Sequence, residues 1–105
     1  MPNYLLTYVG DAVPPASEEE GQAVMAAWIA WFETLGGAVV DPGNPTSMAK
    51  TVATNGKVTD GAAGRVGGYS VISASDLDAA AEAAKSCPHL SAGGDIEVYE
   101  TMQVM

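Results

Sequence analysis

The chain is poor in cysteine, in positive charge and in long apolar runs. Its one cysteine, Cys87, excludes an internal disulfide framework and every multi-cysteine zinc pattern. Four Lys and Arg stand against 13 Asp and Glu, and the net charge of -9 disfavours nucleic acid, which binds through neutralised phosphates. No apolar run approaches the ~20 residues that span a bilayer, and a signal peptide's basic n-region is missing. We therefore expect a cytoplasmic protein with no nucleic-acid or membrane partner.

The composition is that of a folded protein. Of the 105 residues, 48% are apolar and 16% are charged, which is too apolar for a disordered chain. A chain of this length fits one domain. We therefore expect residues 1–105 to form a single domain with one thin core.

The first half of the chain predicts a strand followed by a long helix. Apolar side chains occupy both faces of residues 3–9, as in a strand covered on both sides. Ser17 with Glu20 three residues later is a capping-box pattern, so we expect a helix from there to Leu35, ending at Gly36.

The apolar stripe of this helix spans roughly 160°, wider than one sheet face needs. We expect Trp31 and Met25, at its margins, to contact something besides the sheet; two aromatic residues in one core is the alternative. A short strand is predicted over Ala38–Asp41. Further on, Asn55-Gly56 predicts a β-hairpin with a two-residue loop.

The second half repeats the order of strand and helix. Alternation predicts a strand over Val66–Ser73, followed by an alanine-rich helix with Ser75 as its N-cap. Pro88 cannot continue that helix, so we expect it to end near Cys87. A last strand is predicted over Asp95–Met105.

This order predicts an α+β, ferredoxin-like βαββαβ fold with an antiparallel sheet, two helices on one face and an extra β-hairpin. Right-handed crossovers give the main-strand order 4-1-3-2. The uncovered face would expose apolar side chains, and such a patch normally contacts a partner. We therefore expect a homodimer that packs through the open sheet face.

The predicted topology collects polar residues at one rim of the sheet. The second helix ends where the first and second strands end, so His89 should share that rim with Asp11, Asp41 and the loop that carries Asp60 and Arg65. His89 is the one histidine and is our candidate general acid or base. The alternative is a helix-end histidine that is solvated or bonded to backbone carbonyls.

Four residues are candidate ligand contacts. Asp41 and Asp60 supply carboxylates, Arg65 can hold a carboxylate ligand, and Tyr69 would line a cleft between subunits. Two of them have a simpler alternative: Asp60 precedes Gly61 in a typical turn pair, and Arg65 can be a solvated charge beside a strand. No spacing motif supports a metal site, and we expect neither metal nor cofactor.

The segments YLLTYVG, AAWIAWFETLGGAVVDPG, GGYSVI and SDLDAAAEAAKSCPHLSAGGDIEVYE together resemble the YCII-related family, which includes the DGPF group. The resemblance covers nearly the whole chain and implies a ferredoxin-like subunit that forms a dimeric α/β barrel. Most members of that family have no assigned activity. A minority resemble enzymes that act on small ring compounds, including a dehydrochlorinase, with a His-Asp pair proposed as catalytic.

The chain departs from the family pattern at two places. Ala62-Ala63 follow Asp60-Gly61 where Pro-Phe would complete the DGPF signature, and the first helix holds Ala27 and Trp28 where some relatives have a histidine. The resemblance matches Asp41 to the aspartate of the pair, but the pair itself is not carried over.

Three functions remain open. The first is a homodimeric small-molecule binding or accessory protein. The second is a lyase or isomerase, dehydrochlorinase-like or muconolactone-isomerase-like, with His89 as the base. The third is a purely structural interaction module.

Overall fold

The computed structural model describes residues 1–104, so the predicted end of the last strand at Met105 lies outside them. The elements are β1 (Asn3–Val9), α1 (Glu18–Leu35), a 3-10 turn (Gly36–Ala38), β2 (Val39–Asp41), β3 (Lys50–Val52), β4 (Val58–Asp60), β5 (Gly68–Ser73), α2 (Leu77–Ala84), α3 (Pro88–Ser91) and β6 (Asp95–Glu100). The predicted α+β, ferredoxin-like class is confirmed. Within residues 1–104, no helix combines the length and the apolar character needed to cross a bilayer.

The main sheet has the order β2-β5-β1-β6, which is the predicted main-strand order, and every pairing is antiparallel. The central pairing sets Leu6 opposite Ser70 and Val98. β3 and β4 form a separate two-stranded hairpin, also as predicted.

The helices cover one face of this sheet. Tyr4, Leu6 and Tyr8 alternate along β1 and point into the core, together with Ile72 of β5 and Ala80 of α2. The opposite face carries the intervening residues, and no helix of the described residues 1–104 packs against it. The molecule is accordingly thin, measuring 43 × 39 × 18 Å.

The start and end of α1 follow the sequence signals. Ser17 Oγ accepts a hydrogen bond from Glu20 N, and the Glu20 carboxylate accepts one from Ala16 N in return. Gly36 ends the helix with a φ of 55°, a left-handed conformation that glycine adopts without strain.

The two residues expected at the margins of the α1 stripe differ in burial. Trp31 is 4% exposed and its indole Nε1 donates a 3.2 Å hydrogen bond to Ala83 O, so it contacts the second helix as well as the core. Met25 is 63% exposed. Val24 and Ile29 are also exposed, so much of this predicted apolar stripe is not covered within the chain.

Several predicted boundaries were wrong. Asp76, rather than Ser75, caps α2, because its carboxylate accepts from Ala79 N at 2.7 Å. The hairpin loop has three residues, since Ala53 N still donates to Lys57 O, and the Asn55 side chain instead accepts from Lys57 N.

The strands are also shorter than predicted. β2 begins at Val39 after the 3-10 turn, β5 begins at Gly68, and β6 ends at Glu100. Beyond that point Thr101 N donates to Asn3 O, and Met102 is 79% exposed. The chain therefore leaves the sheet before the last apolar positions can pack on it.

The expected exit of the second helix also needed correction. α2 ends at Ala84, and Cys87 is the N-cap of the short helix α3, in which Pro88 occupies the first turn. Proline is favoured there because the first helical amides have no partner inside the helix. Pro88 therefore starts a new turn of helix, and His89 lies within it.

Candidate functional site

The site is organised around His89, whose ring is fixed by the backbone of β1. His89 Nε2 lies 2.8 Å from the carbonyl oxygen of Val9, the last residue of that strand. A carbonyl oxygen accepts only, so Nε2 must carry the proton in this hydrogen bond. Nδ1 is then the ring nitrogen that remains for a ligand or a proton.

Two local features bring the histidine to this position. The α3 turn begins at Cys87, whose thiol is buried, and presents His89 one residue after Pro88. Gly94, just before β6, then passes directly against the ring: a Cβ built there would lie 2.1 Å from His89 Nε2. Any larger residue at position 94 would therefore displace the imidazole.

Beside His89 lies an open groove of about 940 Å³ between α1, the loop that follows β1, and α3. Its walls are mostly apolar and come from Val13 and Pro14 of the loop and from Ala27 and Trp28 of α1. Glu20 and Ser91 are among the few polar side chains that line it. A groove of this size and character suits a small, largely apolar molecule.

An aromatic cluster joins the groove to the core. The Tyr8 and Trp28 rings meet edge to face at 5.0 Å, and the Tyr8 ring lies 5.5 Å from that of His89. Trp28 also contacts Trp31 and Phe32. Rings held on several sides in this way form a preorganised surface for a flat ligand.

Tyr8 is fixed at its far end as well. Its hydroxyl donates a 2.7 Å hydrogen bond to Ser70 Oγ, which in turn donates to the Pro42 carbonyl. Burial raises the pKa of Tyr8 to about 12, and the bond to Ser70 only partly opposes the rise. Tyr8 is therefore a neutral support for the site at physiological pH.

Cys87 is a poor nucleophile in this environment. Its side chain is 1% exposed, and burial raises the pKa of the thiol to about 11, with the His89 backbone amide opposing the rise. The thiolate is the reactive form of cysteine. Its role is therefore to fill the space beneath α3.

Arg65 is the predicted ligand-binding residue that lies nearest this end of the sheet. Its guanidinium pairs with Asp11 at 2.6 Å, and Asp11 adjoins Ala12 of the groove wall. Arg65 also has a φ of 51°, a left-handed conformation that is rare for a side-chain-bearing residue. Both side chains are largely exposed, so the ion pair adds at most ~1 kcal/mol of stability.

The other three predicted contacts are placed elsewhere. Asp41 pairs with Val71 in β5 and its carboxylate accepts from Gly43 N, while Asp60 is bound by Lys50 within the hairpin. Tyr69 alternates with buried residues of β5 and so lies on the uncovered face.

Asp41 is separated from His89 by the register of the sheet. Val71, its β5 partner, is opposite Leu5, which is four residues before Val9 in β1. Four strand residues correspond to about 13 Å. The predicted rim therefore brings His89, Asp11 and Arg65 to one end of the sheet, while Asp41 sits further along it.

Sequence reasoning missed three parts of this site. The apolar character of Trp28 does not indicate that it lines a groove, and a glycine at position 94 does not indicate a close contact with the imidazole. The structure shows the alternative in which His89 is bonded to a backbone carbonyl, but the sequence carries no signal that this carbonyl belongs to Val9. Among residues 1–104, no group of three or more His, Cys, Asp and Glu is placed to hold a metal ion.

The fold and groove define the class: a small ferredoxin-like α+β protein with a histidine at the edge of an apolar cleft. The chain belongs to the YCII-related family, because the family model described as "YCII-related domain" matches residues 5–105. The resemblance noted from the sequence segments is thereby confirmed. No curated protein matches the chain.

Proposed function

We propose that this protein binds a small cyclic molecule in the groove beside His89. The observation that carries the proposal is the hydrogen bond from His89 Nε2 to the Val9 carbonyl, at the edge of a mostly apolar groove. That bond orients the ring and leaves Nδ1 as an acceptor. Apolar walls with one oriented polar group are typical of small-molecule sites.

The chemistry of the walls favours a neutral ring with one hydroxyl group. A net charge of -9 repels anions, and few polar side chains line the groove. A flat ring can lie against Trp28, while its hydroxyl donates to His89 Nδ1. We therefore use phenol as the probe and anisole, which has the same ring but no donor, as its match.

Tryptophan fluorescence tests this proposal directly, because both tryptophans of the chain line the groove. We expect phenol to bind about 5-fold more tightly than anisole, the value of one hydrogen bond of ~1 kcal/mol. His89→Ala should abolish this preference while leaving anisole binding nearly unchanged. Equal binding of the two probes to the unsubstituted protein, or no saturable binding of either, would refute the proposal.

A second candidate is a lyase or isomerase that moves a proton on a small cyclic substrate. It is favoured by the same observation, since a histidine with a fixed Nε2–H presents Nδ1 as a base. Cyclohex-3-en-1-one is a suitable probe: Nδ1 would remove a proton from C2 and return it to C4, giving cyclohex-2-en-1-one. NMR should show that the unsubstituted protein converts this probe and that His89→Ala does not. If the two proteins convert it at the same rate, the lyase or isomerase function is excluded and binding remains the proposed function.

We further propose that the protein is a homodimer through the open sheet face, as in a dimeric α/β barrel. Leu5 and Val71 are half-buried there with no helix from residues 1–104 over them, Tyr69 lies beside them, and Tyr99 is 49% exposed. An apolar sheet face of this kind normally has a partner. Sedimentation equilibrium at micromolar concentration should give twice the mass of one chain, and a single species of monomer mass would contradict the dimer.

The remaining predicted contacts fit different parts of this proposal. We propose that Arg65 contacts polar substituents of a ligand at the mouth of the groove, and that Tyr69 and Asp41 belong to the cleft between subunits. Asp60 lies in the hairpin of β3 and β4, so it would reach that cleft only if the hairpin extends into it. Alanine substitution of Arg65 should weaken binding of 4-hydroxybenzamide, a neutral phenol with a second polar group, relative to phenol, and an unchanged ratio would remove Arg65 from the site.

The proposed compartment is the cytoplasm. Cys87 is free and buried, which suits a reducing environment. Cell fractionation should find the protein with cytoplasmic markers, and recovery with an exported fraction would contradict this assignment.

A further inference from the structure

The hairpin region differs from the rest of the molecule in exposure. We define the arm as residues 44–67, which contain β3 and β4 and of which every residue is exposed. The radius of gyration is 15.2 Å, against about 13 Å for a compact chain of this length. The arm therefore projects from the body of the protein.

The arm is nevertheless regular. It continues from the sheet, where Pro45 bridges to Gly68 and Thr46 N donates to Gly67 O. One of its faces pairs Val52 with Val58, which are 68% and 53% exposed. An isolated two-stranded hairpin is only marginally stable in water, so this apolar face needs a surface to pack on.

The charge distribution indicates which surface that is. The arm holds three of the four basic residues and one of the 13 acidic residues, a net charge of +2, so the rest of the chain carries -11. Oppositely charged surfaces of one chain favour contact between two copies. The arm and the body are complementary in this sense.

Register then restricts where the arm can dock. The arm joins β5 at Gly68, opposite Tyr8, while β6 begins at Asp95, opposite Val9. The base of the arm and the start of β6 are thus at the same end of the sheet but towards opposite edges. In a dimer with two sheets face to face, a two-fold axis parallel to the strands exchanges the two sheet edges and leaves each strand end at the same level. The base of one protomer's arm and the start of the partner's β6 are then close together.

We propose that the arm of each protomer docks on the partner's β6 edge, where its positive charge meets the partner's Asp95 and Glu97. This inference rests on the proposed dimer. It adds that the arm is the part of the chain that selects a second copy as the partner and fixes how the two copies are oriented. Both carboxylates are on exposed residues of β6, and none of the three ion pairs within residues 1–104 includes them. Because the arm is the positively charged part of this chain, a second copy of the chain is the occupant that complements these carboxylates at the β6 edge.

Charge reversal at Lys57 tests the proposal without disturbing the arm, because Lys57 belongs to none of those ion pairs. Sedimentation equilibrium at 50 mM NaCl should show the dimer dissociation constant raised about 10-fold by Lys57→Glu and similarly by Glu97→Lys. The double variant, which restores the original net charge, should return to within about 3-fold of the unsubstituted protein.

Two matched controls carry the same charge changes elsewhere. Lys85→Glu, at the end of α2, removes only the local ion pair with Glu82, and Glu33→Lys lies on the exposed side of α1, so both should leave dimerisation nearly unchanged. If Lys57→Glu changes the dimer dissociation constant no more than Lys85→Glu does, or if the double variant dimerises as weakly as the single variants, the arm does not dock on β6. The proposed dimer itself would be unaffected by that result. A monomeric unsubstituted protein would instead refute the dimer itself.

Discussion

His89 Nε2 lies 2.8 Å from the main-chain carbonyl oxygen of Val9, so a side chain at the start of the last helical turn is fixed by the end of the first strand. Because the acceptor is a backbone atom, no substitution at position 9 removes it. The tautomer of His89 is thus set by the fold. It can be changed only by altering the residues packed around the imidazole ring.

Gly94→Ala should release His89 from Val9. The added Cβ would lie 2.1 Å from Nε2, a contact that the ring can relieve only by moving. Imidazole ¹⁵N chemical shifts should show a protonated Nε2 in the unsubstituted protein and a mixture of tautomers in the variant. Gly37→Ala, where a Cβ meets no atom of the described part of the chain within 4 Å, is the control and should leave the shifts unchanged. Unaltered shifts in Gly94→Ala would contradict the described packing.

Removing the hydroxyl groups of the two buried tyrosines in β1 should have opposite effects on stability. Tyr4 Oη is buried and has no hydrogen-bond partner among residues 1–104, whereas Tyr8 Oη donates to Ser70. By urea denaturation, Tyr4→Phe should leave the free energy of unfolding unchanged or raise it by up to about 1 kcal/mol. Tyr8→Phe should lower it by about 1 kcal/mol. A larger loss for Tyr4→Phe than for Tyr8→Phe would reverse the assignment.

Glycine is needed at position 43 for space as well as for conformation. Gly43 and Gly61 both have positive φ, at 75° and 85°, but a Cβ at position 43 would lie 1.7 Å from the Tyr69 carbonyl oxygen. Gly61→Ala should cost about 1 kcal/mol from backbone strain alone. Gly43→Ala should cost at least about 3 kcal/mol, since the β2–β5 connection must shift. Similar thermal midpoints for the two variants would argue against this contact.

Alkaline pH should destabilise the protein through Cys87 and Tyr8. Folding raises their pKa values from 9.0 to about 11 and from 10.0 to about 12, mainly by burial. Between pH 9 and 12 the unfolded chain therefore loses protons that the folded protein keeps, and the free energy of unfolding falls as pH rises. A Cys87→Ala, Tyr8→Phe double variant should show a shallower fall over this range. The same slope in both proteins would exclude these two groups as its cause.

Much of the fold could be predicted because local signals agreed with one another. Alternation in residues 3–9, the Ser17–Glu20 capping box and the glycine after Leu35 each specify a local structure that the tertiary contacts preserve. The predicted strand order followed from crossover rules, which need only the sequence of elements.

The errors arise where tertiary contacts compete with local preferences. Ser75 and Asp76 are both good caps, and only the path of the chain decides that Asp76 accepts from Ala79 N. Pro88 ends one helix and starts another equally well. The His89–Val9 bond has no side-chain partner to recognise, and the offset of Asp41 from Val9, about 13 Å along the sheet, depends on strand register.

The location of a bound ring is the most direct test of the proposed groove. With phenol at saturation, intermolecular NOEs to a uniformly labelled protein should connect the ligand's ring protons to Trp28 and His89. In His89→Ala the NOEs to Trp28 should persist, because the apolar wall remains, but they should no longer indicate one orientation of the ligand's ring. Ligand NOEs confined to Tyr69 and Tyr99 on the open sheet face would contradict it.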